Sequence, residues 1–216
     1  MIDFLMENGT RILQKILEHI LISSSALFVG ILIAVPVGIL LTRSKKLSQY
    51  VISLASILQT LPSLALLAIM VPILGVGKTP AIVALVIYSL LPILRNTYLG
   101  MMAVDADLLD ACKGMGMTET QITTKVTIPL AMPVIMSGIQ LSAVYLVSWA
   151  TIASYIGAGG LGDLIFMGLN NFNFYAIVAG TVPVSLIALL LDFLIGKLRD
   201  KLTPKTNRED VIINEV

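Results

Sequence analysis

The sequence predicts an all-α integral membrane fold with five transmembrane helices, an N-terminal amphipathic helix and a helical loop on the cytoplasmic side. Three observations predict it. First, the 216 residues are 57% hydrophobic and only 12% charged, with a mean hydropathy of +0.95, whereas about 25% of a soluble domain is charged. Second, five stretches (20–42, 50–74, 80–100, 130–156 and 175–196) each hold the roughly 20 mostly apolar residues needed to cross about 30 Å of hydrocarbon. Third, eleven of the 14 Lys and Arg residues lie after the first span, from the end of the third to the fourth, or after the fifth. Basic residues in short loops stay on the cytoplasmic side, so the N-terminus is expected outside and the C-terminus in the cytoplasm.

Residues 1–18 form the first unit. Phe4, Leu5, Ile12, Leu13, Ile16 and Leu17 recur at helical spacing, opposite Glu7, Arg11, Lys15 and Glu18, which reads as an amphipathic helix lying on the outer surface or running into the first span. No small-residue cleavage site follows that span, so it reads as a retained helix. Residues 19–200 form the membrane domain, and 201–216 a cytoplasmic tail expected to lack structure. In span two, Gln59-Thr60-Leu61-Pro62-Ser63 places a proline in mid-helix, where it removes one hydrogen bond and clashes with the preceding turn. Polar groups beside such a break face protein or a water-filled cavity. Gln59, Thr60 and Pro62 are therefore candidate path or gate residues. So are Ser89 in span three and Tyr145, Trp149, Thr151 and Ser154 in span four. Tyr145 and Trp149 also suit either packing or a cation drawn to their ring faces. The small residues of span four allow close helix contact.

The loop 101–128 carries its own order. Ala106 to Lys113 suits a short helix, Gly114 and Gly116 permit a sharp turn, and Thr118-Glu119-Thr120-Gln121 fits a capping box. Helix, glycine elbow, second helix and then Pro129 make a helical hairpin. Small side chains at Ala111 and Cys112 let another protein's groove come close, and Asp110 offers a charge to a basic partner. Near the chain's end, Asp192 is placed to pair with Lys197 or Arg199.

Several function classes are excluded by composition. Net charge +1 gives no case for nucleic-acid binding, and one cysteine with one histidine leaves no zinc site. No Ser/His/Asp or paired-carboxylate arrangement points to catalysis. Gly77-Lys78-Thr79 ends like a phosphate-binding loop, but Pro72 stands where its first glycine belongs. Gly157, Gly159, Gly160 and Gly162 spell G-x-G with G-x-x-G spacing. They follow a hydrophobic helix, however, and Val182 occupies the position of the expected acid. They read as a turned loop at the outer face.

Asp110-Ala111-Cys112, Gly116 and Val126-x-Ile128-Pro129 resemble the EAA loop of type I ABC importer permeases. That pattern is Glu-Ala-Ala, a glycine four residues on, and Ile-x-Leu-Pro. Here Asp, Cys, Val and Ile are the departures. Residues 59–68, 88–98 and 150–162 are similar to permeases of the osmoprotectant-uptake (Opu) type, which import glycine betaine, carnitine and choline. The resemblance implies a bacterial cell-membrane permease working by alternating access and coupled through the EAA-like loop to ATPases that bind ATP and Mg, so that this chain holds no cofactor. It also implies a second permease subunit, two ATP-binding subunits, an extracytoplasmic substrate-binding protein and a lipid surround. An importer for another small solute, such as an amino acid, has the same architecture. An ion-coupled secondary transporter would need intramembrane ionisable groups, which these spans nearly lack.

Overall fold

The computed structural model describes residues 2–203, and among them every regular element is helical. In chain order these are α1 (Ile2–Leu41), α2 (Lys45–Thr60), α3 (Ser63–Leu74), α4 (Lys78–Met102), α5 (Ala106–Gly114), α6 (Glu119–Ile122), α7 (Ile128–Ala153), α8 (Gly162–Asn170) and α9 (Phe174–Leu202). A π-helical turn, Thr123–Thr127, joins α6 to α7, and a 3-10 turn, Ser154–Ile156, ends α7. Four helical runs are long and apolar enough to cross a membrane, or five spans if α2 and α3 count as one broken span. The expected tail lies, from residue 204 on, outside the described residues.

Three features go beyond the sequence reading. The amphipathic segment and the first span are one helix of 40 residues, about 60 Å long and twice the hydrocarbon thickness. The stretch 50–74 is two helices meeting at 95°. Leu61 is extended there, at φ −62° and ψ 132°, because a residue before proline is pushed out of the α region. The Tyr88 hydroxyl donates to the freed Leu61 carbonyl at 2.7 Å. Lastly, α8 follows the turned loop, where no helix was expected. Its nine residues are too few for a readable period.

α4 and α7 form the centre, and small residues bring their neighbours close. A Cβ on Gly138 of α7 would lie 2.7 Å from the Pro92 carbonyl of α4, so only glycine permits this separation. In the turn that Pro92 loosens, Ser142 donates its hydroxyl to the Ser89 carbonyl at 3.1 Å, the kind of polar repair a helix break in lipid needs. Buried Ile22, Ala81, Ala84, Leu85, Leu146 and Ala150 fill the space among α1, α4 and α7. At one end stands the α5–α6 hairpin, and at the other the glycine-rich loop 157–161. There Ile12 of α1 packs with Leu161, Leu164 of α8 and Ala179 of α9. The amphipathic stripe is thus half used: Ile12 is buried, while Leu13 and Leu17 stay exposed.

Asp192 does not pair with Lys197 or Arg199. Gln140 of α7 donates its side-chain amide to the Asp192 carboxylate at 2.7 Å, and Arg199 donates to the other end of that amide at 3.3 Å. Helical side chains meet at spacings of three or four, whereas Lys197 and Arg199 lie five and seven residues on. A glutamine from the facing helix bridges the gap. Lys197 instead sits 4.4 Å over the Phe193 ring.

Candidate coupling hairpin and translocation face

The hairpin is held by local bonds at each of its joints. Asp105 caps α5, accepting from the Asp107 amide at 2.8 Å. α5 ends in a Schellman motif: the Met117 amide donates to the Cys112 carbonyl at 3.1 Å and the Gly116 amide to the Lys113 carbonyl at 2.9 Å. Gly116 takes φ +83°, the left-handed conformation the motif requires. The capping box then forms in full, with the Gln121 amide donating to the Thr118 hydroxyl at 3.3 Å and the Thr118 amide to the Gln121 side chain at 2.9 Å. Orphan helix-end groups are thus satisfied without outside help, which makes the hairpin stiff.

Its surface divides into core and face. Cys112 and Ile122 are buried, so of the two small residues expected to meet a partner's groove only Ala111 is on the surface. Asp110, Ala111 and Gly116 are exposed, while Val126, Ile128 and Pro129 are half-buried at the foot of α7. Asp110 accepts from Lys113 at 3.2 Å; an exposed pair of this kind contributes only about 0.3–0.5 kcal/mol. Sequence reading passed over Met115, 73% exposed at the elbow, and Leu108 at 42%. Two large apolar side chains are thus left to solvent on the hairpin. The run Gly114-Met115-Gly116 was the available sign, since a large apolar residue between glycines has nothing local to pack against.

The candidate path residues separate into two groups. Tyr145 and Trp149 lie one turn apart on α7 with ring centroids 5.3 Å apart, and Tyr88 of α4 packs on Trp149 at 4.7 Å. Through its hydroxyl on Leu61, Tyr88 ties these rings to the α2–α3 bend that carries Gln59, Thr60 and Pro62. Thr60 is exposed and Gln59 half-buried. The others are more covered. Ser89 is fully buried against Gly30, and Ser154 is buried against Gly162. Thr151 is half-buried, and its sealed hydroxyl accepts no partner. Leu141, Tyr145 and Ser148 trace a face of α7 that this chain leaves uncovered, and Tyr155 of the 3-10 turn stands exposed beyond it. Toward the glycine loop this face meets an open depression of about 430 Å³ lined by Leu64, Ala68, Val71, Val76, Tyr155 and Ile156.

The glycine loop is pinned by charged residues that the sequence reading placed on a polar helix face or in a phosphate-loop look-alike, with no link to the loop. Gly157, Gly159 and Gly160 all take positive φ, and Gly162 begins α8. The Gly160 amide donates to the Glu18 carboxylate at 3.1 Å. Lys15 donates to Glu18 at 3.0 Å and to Asp163 at 2.6 Å, and Lys78 reaches Glu18 at 3.4 Å. One carboxylate thereby joins α1, the loop and the head of α4. Next to it, His19 is fully buried and donates from Nε2 to the Val147 carbonyl at 3.0 Å. The Lys78 of the apparent phosphate loop is thus engaged by a carboxylate, and the loop 157–162 follows a helix and not a strand.

Residues 26–208 match the family described as binding-protein-dependent transport system inner membrane component. The chain belongs to this family. The permease is 54% identical over 208 residues to the carnitine transport permease protein OpuCB of Listeria monocytogenes, covering 96% of this chain and 95% of that one. It is 52% identical over 203 residues to the choline transport system permease protein OpuBB of Bacillus subtilis (strain 168), covering 94% of each. In fold it is similar to a chain of the MetNI methionine ABC transporter in an inward-facing conformation. The TM-score there is 0.83 at 24% identity, over 89% of this chain and 96% of that one. The all-helical membrane architecture is therefore that of an ABC importer permease.

Proposed function

We propose that this permease forms the translocation path of an ATP-driven importer for quaternary-amine osmoprotectants, the class that includes glycine betaine, carnitine and choline. The observation that carries this reading is identity above 50%, over at least 94% of both chains, to relatives whose names state carnitine or choline transport. The hairpin supports coupling from outside. It is stiff, exposes Leu108, Asp110 and Met115, and is fused through a π-helical turn to α7. A displacement of the tip therefore moves a central helix. ATP and Mg belong to a separate ATPase that grips Asp110, Ala111 and Gly116, with Cys112, Val126, Ile128 and Pro129 shaping the hairpin and its foot. The hairpin end faces the cytoplasm, and the glycine-loop end faces outward toward a substrate-binding protein. Two permease subunits and two ATPases complete the assembly in a bacterial cell membrane.

The test is reconstitution in proteoliposomes with the ATPase and binding protein from the same source. ATP-dependent uptake of labelled carnitine, choline or glycine betaine is expected. Asp110→Lys is expected to lose ATPase binding while the spans stay folded, read by co-purification. Uptake of none of the three by an intact, ATP-hydrolysing complex would overturn the substrate class.

A further inference from the structure

We infer that Tyr145 and Trp149, braced by Tyr88, form a cation–π way-station for the quaternary ammonium group on the uncovered face of α7. The inference rests on the functional reading above and assigns that solute a position along the path.

Chemistry sets what such a station requires. A quaternary ammonium keeps its charge at every pH and carries no N–H, so hydrogen-bond acceptors do nothing specific for it. Carboxylates or aromatic faces remain as attractors. Of the acids on the spanning helices, Glu18 is held by Lys15, Lys78 and Gly160 at the glycine-loop end and Asp192 by Gln140 on the α9 side, while Glu7 and Asp200 stand near the ends of α1 and α9. A fixed carboxylate at the midplane would also bind the cation tightly enough to slow release. Ring faces attract a cation by about 0.5–1 kcal/mol where exposed and about 2 kcal/mol where desolvated, a range that holds a solute without trapping it.

The geometry meets that requirement in one place. Tyr145 is 39% exposed on the uncovered face, and Trp149 beside it is half-buried, so neither residue is sealed off. The rings are inclined at 43° with centroids 5.3 Å apart. Tyr88 backs Trp149 at 4.7 Å and is itself tethered to the Leu61 carbonyl. The ring cluster is thus fastened to the 95° break between α2 and α3, so movement at that break shifts the rings. Toward the glycine loop, the same face leads into the depression beside Tyr155.

Trp149 is the only tryptophan of the chain, which permits a test confined to one ring. Permease grown with mono-, di- and trifluorinated tryptophan, assembled with unlabelled partners, carries a ring whose face is progressively less negative at nearly constant size. Expected are a stepwise fall in quaternary-amine import, roughly fivefold across the series, and a ¹⁹F shift at Trp149 on adding choline but not its neutral isostere 3,3-dimethyl-1-butanol. Tyr145→Phe is expected to keep import and Tyr145→Leu to lower it. Unchanged import across the series in a complex that transports choline would overturn the station and leave the functional reading intact. Equal ¹⁹F shifts with choline and the isostere would also overturn it, by showing a merely apolar site. A wild-type complex that imports no quaternary amine would overturn both.

Discussion

Gly114 and Gly116 sit two residues apart at the end of α5 and answer to opposite constraints. Gly114 is helical, with no atom within 4 Å of a Cβ added to it, whereas Gly116 has φ +83° and equally open space. Only backbone strain separates them. Gly114→Ala is expected to leave the hairpin unchanged or stabilise it by a few tenths up to about 1 kcal/mol. Gly116→Ala should destabilise it by about 1–2 kcal/mol. Hydrogen exchange at the Met117 and Gln121 amides, slower or equal in the first variant and faster in the second, is the measurement; equal exchange would remove the Schellman turn from the account. This elbow was legible in the sequence, as was the capping box at Thr118, because both depend on residues within six positions of one another. The Gln140 bridge to Asp192 and Arg199 was not. Its partners are 52 and 59 residues apart, and nothing local in a glutamine says which helix it will face. Glu18 could be read only as part of a polar helix face for the same reason, since its amide donor is 142 residues away.

At the scale of elements, the α2–α3 break depends on one proline and one tyrosine. Pro62→Ala restores the missing amide and frees Leu61 to be helical, so α2 is expected to continue toward α3 and the 95° bend to open. Spin labels at Leu54 and Ile69, both exposed, would then move apart toward the roughly 23 Å that 15 helical residues span. An unchanged distance would show that packing against α4, and not Pro62, sets the angle. The existence of a break could be read from Gln59-Thr60-Leu61-Pro62-Ser63, but its size could not. A stretch of that composition serves equally as a kinked span or as two helices at a right angle, and tertiary contact, here Tyr88 on Leu61, decides between them. The five hydrophobic stretches were legible because a bilayer demands long apolar runs, while α8 needs only nine residues packed on α9 and α1.

Across the whole molecule, the proposed orientation makes one clear demand of labelling. Cys112 is the sole cysteine and buried, so a Cys112→Ser background is clean. A cysteine placed at Phe172, 96% exposed near the glycine loop, should react with an impermeant thiol reagent on intact cells. One placed at Met115 should react only after the membrane is opened. The reverse pattern would invert the topology and place the hairpin beyond any ATPase's reach. The charges described above also mark a distance. Lys78, bound to Glu18, opens α4, and Arg95 is exposed 17 residues later on the same helix, about 26 Å along its axis. Arg199, docked on Gln140, lies beside α7 near where Asn96 meets Gly138, so it falls close to the Arg95 level. The two belts of charge are separated by slightly less than one hydrocarbon thickness. That spacing suits a hydrocarbon core of about the same depth: lengthening the acyl chains would pull one belt into oil or force the helices to tilt, at a fraction of a kcal/mol per ångström. Transport in vesicles of stepped lipid length should peak at the shorter chains.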